Sequence, residues 1–353
     1  MTPHVPWLRS TMPLLTVVTL LSGCNSSAPT VIEQAPPTGE RPAPVAAPPV
    51  INEEFIDRQA FPASNWWNQR VASAPLDPNS DAYIAWIGTG PNLHPDFGNP
   101  PYGIPYVVVD SQQPLVPIHW SLYGSESDDG APGMPPGYPV PPEAYLFPNY
   151  IEGGVAGGGP SGDRHLLLVD KDNDILYELW YTEWNSSLSR WEAGSGATFD
   201  MATNDRRPEG WTSADAAGLA VFPGLIRADE VFGSQEIRHA LRFTTRATNG
   251  HVWPASHTAG STNGAPPLGT RLRMKASVDI SSYTPEVQKI FRAMKTYGLI
   301  LADNGSDMYV QGTMDNIWNN GVLNPAFHSI TASDFEVVQL GWNPTTSGVP
   351  EAN

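Results

Sequence analysis

The sequence predicts a mainly β protein: an antiparallel β-sandwich of jelly-roll type, with one long packed helix and extensive loops. Three observations lead there. The 353 residues include 32 Gly and 37 Pro but only 16% charged residues, a mix that favours short strands and ordered loops over a helical bundle. Several segments alternate apolar and polar residues with the period of a strand. Only one segment carries both start and stop signals for a helix.

Taken in chain order, residues 61–150 read as loop-rich, with a strand at 106–109 and a Gly/Pro-dense stretch at 130–142. Residues 164–169 and 175–181 flank Asp170-Lys171-Asp172-Asn173-Asp174, a hairpin signal. A two-residue turn at Asp172-Asn173 sets His165 opposite Trp180, with Glu178 diagonal to His165 on the same face; a three-residue turn undoes that arrangement. Residues 237–243 alternate, with Ile237, His239, Leu241 and Phe243 on one face. Residues 271–279 alternate more cleanly, polar on one face and apolar on the other. The helix has Thr284 as its cap, Pro285 in its first position and Val287, Ile290, Phe291 and Met294 as its apolar stripe; Gly298 ends it. Residues 299–302 and 308–310 then flank a second hairpin turn, Asp303-Asn304-Gly305. No internal repeat is visible.

The net charge of −17 excludes nucleic-acid recognition, which is built on Lys and Arg. Twelve Trp exceed what a core needs, so some are expected at the surface, where sugar rings are their natural partners. Cys24 is the only cysteine. It precedes the folded part, which leaves no intramolecular disulfide, no thiolate catalyst and no cysteine-held zinc.

The N-terminus has one basic residue, Arg9, and the apolar run 13–21. That run falls short of the roughly 20 residues that span a bilayer but suits a signal-peptide core. Leu21-Ser22-Gly23-Cys24 resembles the lipobox of bacterial lipoproteins. The resemblance implies cleavage before Cys24 and its acylation. Asn25 in place of Asp then implies the outer membrane. Residues 1–23 are accordingly expected to be a signal peptide and 24–51 a Pro/Ala-rich disordered tether, extended at about 3.1 Å per residue. Residues 52–343 should form a single β-rich globular domain, with a flexible tail at 344–353. The only membrane contact expected is the lipid anchor.

Six blocks in the domain resemble a family of exported bacterial proteins to which no activity is attached. They are Gly162-Asp163-Arg164-His165, residues 194–200, residues 210–219, residues 223–227, Trp253-Pro254-Ala255-Ser256-His257 and residues 297–305. The resemblance implies an exported domain and assigns no catalytic roles.

No His-Glu-x-x-His, Gly-x-Ser-x-Gly or Walker motif is present. Gly157, Gly159 and Gly162 match Gly-x-Gly-x-x-Gly but precede a strand, where a dinucleotide site needs them after one. Glu178 stands out, because a carboxylate among Tyr177, Trp180 and Tyr181 is costly unless it is paired or faces a wet cleft. It is either half of a catalytic pair or an edge residue paired with Arg164 or Arg190. Asp200, beside small residues, is the second carboxylate; Asp215 fits a capping box with Thr212 instead.

These residues point to a surface-anchored carbohydrate-active protein, a polysaccharide hydrolase whose partner is a polysaccharide or cell-wall glycan. Glu178 and Asp200 act as the carboxylate pair, tuned by His165, with Trp180, Trp253 and His257 binding substrate. The alternatives are a non-catalytic glycan-binding or structural envelope lipoprotein, and a polysaccharide lyase using His239 or His257 with a tyrosine. His239 reads otherwise as a buried structural histidine. No cofactor is expected. A surface calcium ion at Asp170, Asp172 and Asp174, or a metal held by His165, His251 and His257, is the alternative to that.

Overall fold

A computed structural model describes residues 48–55 and 58–344. The expected signal peptide, Cys24, nearly all of the tether and the tail from residue 345 lie outside the described residues. The described ones fall in one unit, Pro44–Asn353.

The protein is mainly sheet. Its strands are β1 (Val50–Ile51), β2 (His94–Asp96), β3 (Tyr106–Val109), β4 (Ile118–Trp120), β5 (Leu166–Asp170), β6 (Ile175–Trp180), β7 (Glu183–Asn185), β8 (Arg190–Ala193), β9 (Ser195–Asp200), β10 (Leu241–Thr245), β11 (Arg271–Met274), β12 (Leu299–Asn304), β13 (Tyr309–Gln311) and β14 (Phe335–Val337). They form a first sheet, β1-β3-β5-β6-β9, a second, β14-β11-β12-β10-β13-β2, and a small third, β4-β8-β7. All three are mixed. Most strand pairs are antiparallel, as expected, but β3–β5, β10–β12, β13–β2 and β4–β8 run parallel. Alternation fixes which face a side chain takes and is silent on strand direction, which long crossovers decide.

The 171–174 hairpin has the register that the two-residue turn sets. Leu166 pairs with Leu179 and Asp170 with Ile175, so His165 comes opposite Trp180. The helices are α1 (Ser80–Ile87), α2 (Glu143–Leu146), α3 (Ala228–Phe232), α4 (Pro285–Thr296) and α5 (Asn320–His328). α4 is the expected helix and buries Val287, Ile290, Phe291 and Met294. Thr284 stands at its N-cap, though its side chain makes no capping hydrogen bond. α1 and α5 escape a sequence reading because one spans only 8 residues and the other contains Pro325.

Side chains of both large sheets meet in one apolar cluster, from Tyr106, Leu167, Leu176 and Phe199 to Phe243, Leu272, Leu299 and Val310. A second cluster lies on the other face of the first sheet, around Val107, Leu168, Tyr138 and Tyr177. Among the described residues Trp66, Trp67, Trp191 and Trp318 are buried and the other Trp, Trp180 among them, are half-buried.

The polar face of β11 is turned inward. Arg271 and Arg273 are buried. Arg271 donates to the carbonyls of Trp66, Gln69 and Tyr297 at 2.7–2.9 Å, and Arg273 to those of Val71, Ala72 and Ala74 and to Glu336. These arginines hold the 66–74 loop to the sheet. Arg271→Ala should cost about 2–4 kcal/mol in urea unfolding, because several buried carbonyls lose their donor. The exposed Arg292, paired with Glu236, should cost under about 1 kcal/mol on the same substitution.

Candidate functional site

Residues 212–226 form a strap that bonds to both large sheets. Toward the first sheet, Ser195 Oγ donates to the Ser213 carbonyl at 2.7 Å and the His165 ring meets the Ala214 carbonyl at 2.9 Å. The Val221 and Phe222 amides donate to the Glu178 carboxylate at 2.7–3.0 Å. Toward the second sheet, Asp215 accepts from Arg242 at 2.5 Å, and the Ala217 amide donates to the Ala302 carbonyl at 3.0 Å. Gly218 keeps the strap close: its φ is +71°, and a Cβ there would lie 2.1 Å from Ser256 Oγ.

Glu178 sits in a row with Tyr106, Leu167 and Ala197, so it is a carboxylate on an otherwise apolar face. It is fully buried and pairs with neither Arg164 nor Arg190. Its three amide hydrogen bonds make it the clamp of the strap, which corrects its assignment as a catalytic acid. Burial raises its pKa to about 7, against the opposing pull of the Phe222 and Val221 amides.

Asp200 is also corrected. Its register partner Ile175 lies on the face opposite that of Glu178, three positions before it in β6. The two carboxylates therefore cannot flank one bond. Asp200 is exposed and accepts from the Ala202 amide in the turn that follows.

The second sheet presents Asp96, Gln311 and Arg242 as neighbours across β2, β13 and β10, with Asp303 beside Thr244 one step along. Arg242 and Asp215 have no exposed surface, and Gln311 accepts from Arg242 Nη1. Asp96, Glu152 and Asp303 retain partial exposure and Asp163 is exposed. The result is an acidic cluster: Arg242 and Asp215 are closed off beneath, Asp96, Glu152 and Asp303 are half-buried, and Asp163 stands at the exposed rim. Asp215 does not cap a helix. Thr212 and Ser213 hydroxyls donate to its carbonyl while its carboxylate takes the Arg242 guanidinium.

The carboxyls of this site divide. Burial, and then Asp215, raise Asp303 to about 7. Burial also raises Asp215, but it has Arg242 Nη2 and the Ala217 amide as donors, whereas Asp303 has only the Asn304 amide at 2.6 Å. Both carboxyls of this pair are thus raised, and Asp215 has the stronger set of donors to its ionised form. Burial raises Asp96 too, with Glu152 adding to the effect. Glu152 goes the other way: burial pushes it up, yet His165 holds it below its ordinary value. The His165 ring touches oxygens with both nitrogens, Glu152 Oε2 at 2.6 Å and the Ala214 carbonyl at 2.9 Å. That is the arrangement of an imidazolium. Burial opposes the charge, but Glu152 prevails and raises His165 to about 9.

Trp180 lies at the rim. Its Nε1 donates to Asp163 at 3.2 Å, and its ring neighbours Tyr123 and Tyr181 at 6.2 and 5.4 Å. Gly194 admits it, since a Cβ there would come within 2.7 Å of the indole. His257 reaches the strap through the Ala216 carbonyl at 2.8 Å. Trp253 instead stands edge-on to Trp66 at 6.1 Å and packs on the core, away from the Trp180 group. His239 is buried with both nitrogens engaged, by the Ala240 carbonyl and Glu230, so it has no free position to act as the base of a lyase.

Among the described residues, no group of three or more His, Cys, Asp or Glu could hold a metal ion. Asp170 accepts from Asp172 and Asn173 within its own turn, Asp172 from Ser111, and Asp174 from Arg58. The rings of His165, His251 and His257 bond to separate partners. Among the described residues, no helix is long and apolar enough to cross a membrane. No family model, no curated protein and no solved structure matches this chain.

The pH dependence of stability tests the clamp. A carboxyl whose folded-state pKa is about 7, against an ordinary 4.5, favours folding when protonated. Its contribution is complete below about pH 4.5 and is lost as pH rises through 7. The urea midpoint of Glu178→Gln should fall less than that of wild type between those limits; parallel profiles would remove Glu178 from that role.

Proposed function

We propose that the protein is a surface-anchored polysaccharide hydrolase whose acid and base are Asp303 and Glu152. The observation that carries this reading is the division of two partly exposed carboxyls that both feel Arg242: Asp303 is raised to about 7 and Glu152 is held low by His165. Groups driven apart in this way are what acid–base hydrolysis of a glycoside requires. Asp303 donates its proton to the departing glycosidic oxygen. Glu152 takes a proton from the water that attacks the anomeric carbon. Trp180, with Tyr123 and Tyr181, supplies the stacking surface for a sugar, and His165 fixes the charge of Glu152. The shared core of the two large sheets supports a sandwich as the scaffold, and a jelly-roll path is the finer form of that proposal.

Activity should require Asp303 protonated and Glu152 ionised, so the rate should fall as pH rises through about 7. On a glycan identified by screening the intact protein, Asp303→Asn should lower kcat by about 10²–10⁴ with binding retained. Undiminished turnover would overturn the assignment. A non-catalytic glycan-binding role is favoured by the aromatic group at the rim, which needs no chemistry to hold a sugar. Wild type that binds the glycan without releasing reducing ends would select it.

Anchoring through lipidated Cys24 at the outer membrane is part of the same proposal. It is supported by the Leu21-Ser22-Gly23-Cys24 sequence and by the position of the only cysteine. Cell fractionation with an acyl label should find wild type labelled in the outer membrane. Cys24→Ser should be unlabelled and absent from it; a serine variant still in that fraction would point to retention by a protein partner.

A further inference from the structure

A shallow, open depression on another part of the surface is lined by Arg58, Asn68, Pro223, Arg227, Arg238 and His239, together with Gln59, Ala60 and Glu230. Its charge runs against that of the chain. Four of the 19 Lys and Arg residues gather here: Arg58, Arg227 and Arg238 in the lining and Lys289 behind it. Lys289 is buried and donates to the Glu230 and Gly233 carbonyls at 2.8 Å, so no carboxylate neutralises it directly. The His239 ring bonds to the Ala240 carbonyl at 2.8 Å and to Glu230 at 2.9 Å.

The carboxylates present are already engaged. Glu230 receives Arg227 at 2.6 Å as well as His239. Burial pushes Glu230 up, but Arg227 and then His239 hold it below its ordinary value. Asp174 pairs with Arg58. Asp229 receives the Phe55 amide at 2.6 Å and stands 3.5 Å from Arg227. Arg227 is buried between the Phe55 and Phe222 rings, and its Nε makes no hydrogen bond. Arg238 is exposed at the mouth. The lining therefore carries more positive charge than its own carboxylates cancel, in a chain that is otherwise strongly acidic.

We propose that this depression is a binding site for a compact oxyanion, a phosphate or carboxylate group. Arg238 is the direct ligand, with its planar fork of donors. Arg227 and Lys289 supply the fixed field behind it. The site is independent of the acidic cluster and of the hydrolase reading, and it would suit an acidic group on a polymer at the cell surface.

The test is thermal melting and ¹H–¹⁵N NMR of the intact protein, titrated with inorganic phosphate, glucuronate or chloride at matched ionic strength. Phosphate or glucuronate should raise Tm saturably and shift the Arg238 and His239 resonances, and chloride should not. The stronger of the two identifies the class of group bound. Arg238→Gln, an exposed change that spares the buried network, should weaken binding at least tenfold. Arg292→Gln, which lies in an exposed pair outside the depression, should bind as wild type does. An equal response to chloride, no saturable response to either oxyanion, or equal affinity in Arg238→Gln would overturn the proposal.

Discussion

The Arg242–Asp215 ion pair is the interaction on which the rest of the architecture depends. Neither side chain has exposed surface, and the pair joins the centre of the second sheet to the strap. On the other side, Glu178 ties the same strap to the first sheet through the Val221 and Phe222 amides. Apolar packing alone would let two sheets slide by a residue at modest cost. A buried charge does not allow that, because removing its partner leaves an uncompensated ion that costs about 3–5 kcal/mol. The polar layer thus sets the relation of strap to sheets, while the surrounding Leu, Phe and Val side chains supply the bulk of the driving force.

The burial that makes this pair specific also creates the chemistry above it. Arg242 cannot satisfy every carboxyl around it. Asp215 takes the guanidinium directly, Gln311 the other end, and Asp303 is left beside an ionised neighbour with one backbone donor. A proton then becomes the least costly way to neutralise Asp303. Glu152 escapes that outcome because His165 gives it a cation of its own. The opposite shifts of Asp303 and Glu152 therefore follow from how one arginine is shared, and the proposed hydrolase reading rests on that division.

Much of this could be read from the chain in advance, and the limits were physical. The hairpin register was legible because its turn chemistry and its apolar period agree, and it placed His165 and Glu178 on one face. α4 was legible from Pro285 and its stripe. Strand direction was not, because an alternating strand reads the same whichever way its neighbour runs. Arg271 and Arg273 were legible as one polar face, but nothing local reveals that distant carbonyls await them in the interior. Glu178 was singled out rightly as anomalous, yet its partners are backbone amides more than 40 residues away, and a sequence shows no amide as unpaired. Asp215, set aside as a cap, proved central for the same reason: its partner Arg242 follows 27 residues later in a strand that looked purely structural.

The strap also explains how two regions of opposite charge coexist in one small domain. Its N-terminal part enters the acidic cluster at Asp215, and the chain just past its end enters the basic depression at Arg227 and Glu230. Between them Glu178 grips Val221 and Phe222, and Pro223 already lines the depression. A carboxylate at that midpoint lies on the same buried segment as both ends. Its fully buried amide contacts hold the strap at one depth, which keeps Asp215 against Arg242 and sets the Phe222 ring beneath the Arg227 guanidinium, 5.2 Å from it. Glu178 is thus a positioning residue for the strap, acting through the Val221 and Phe222 amides that it holds.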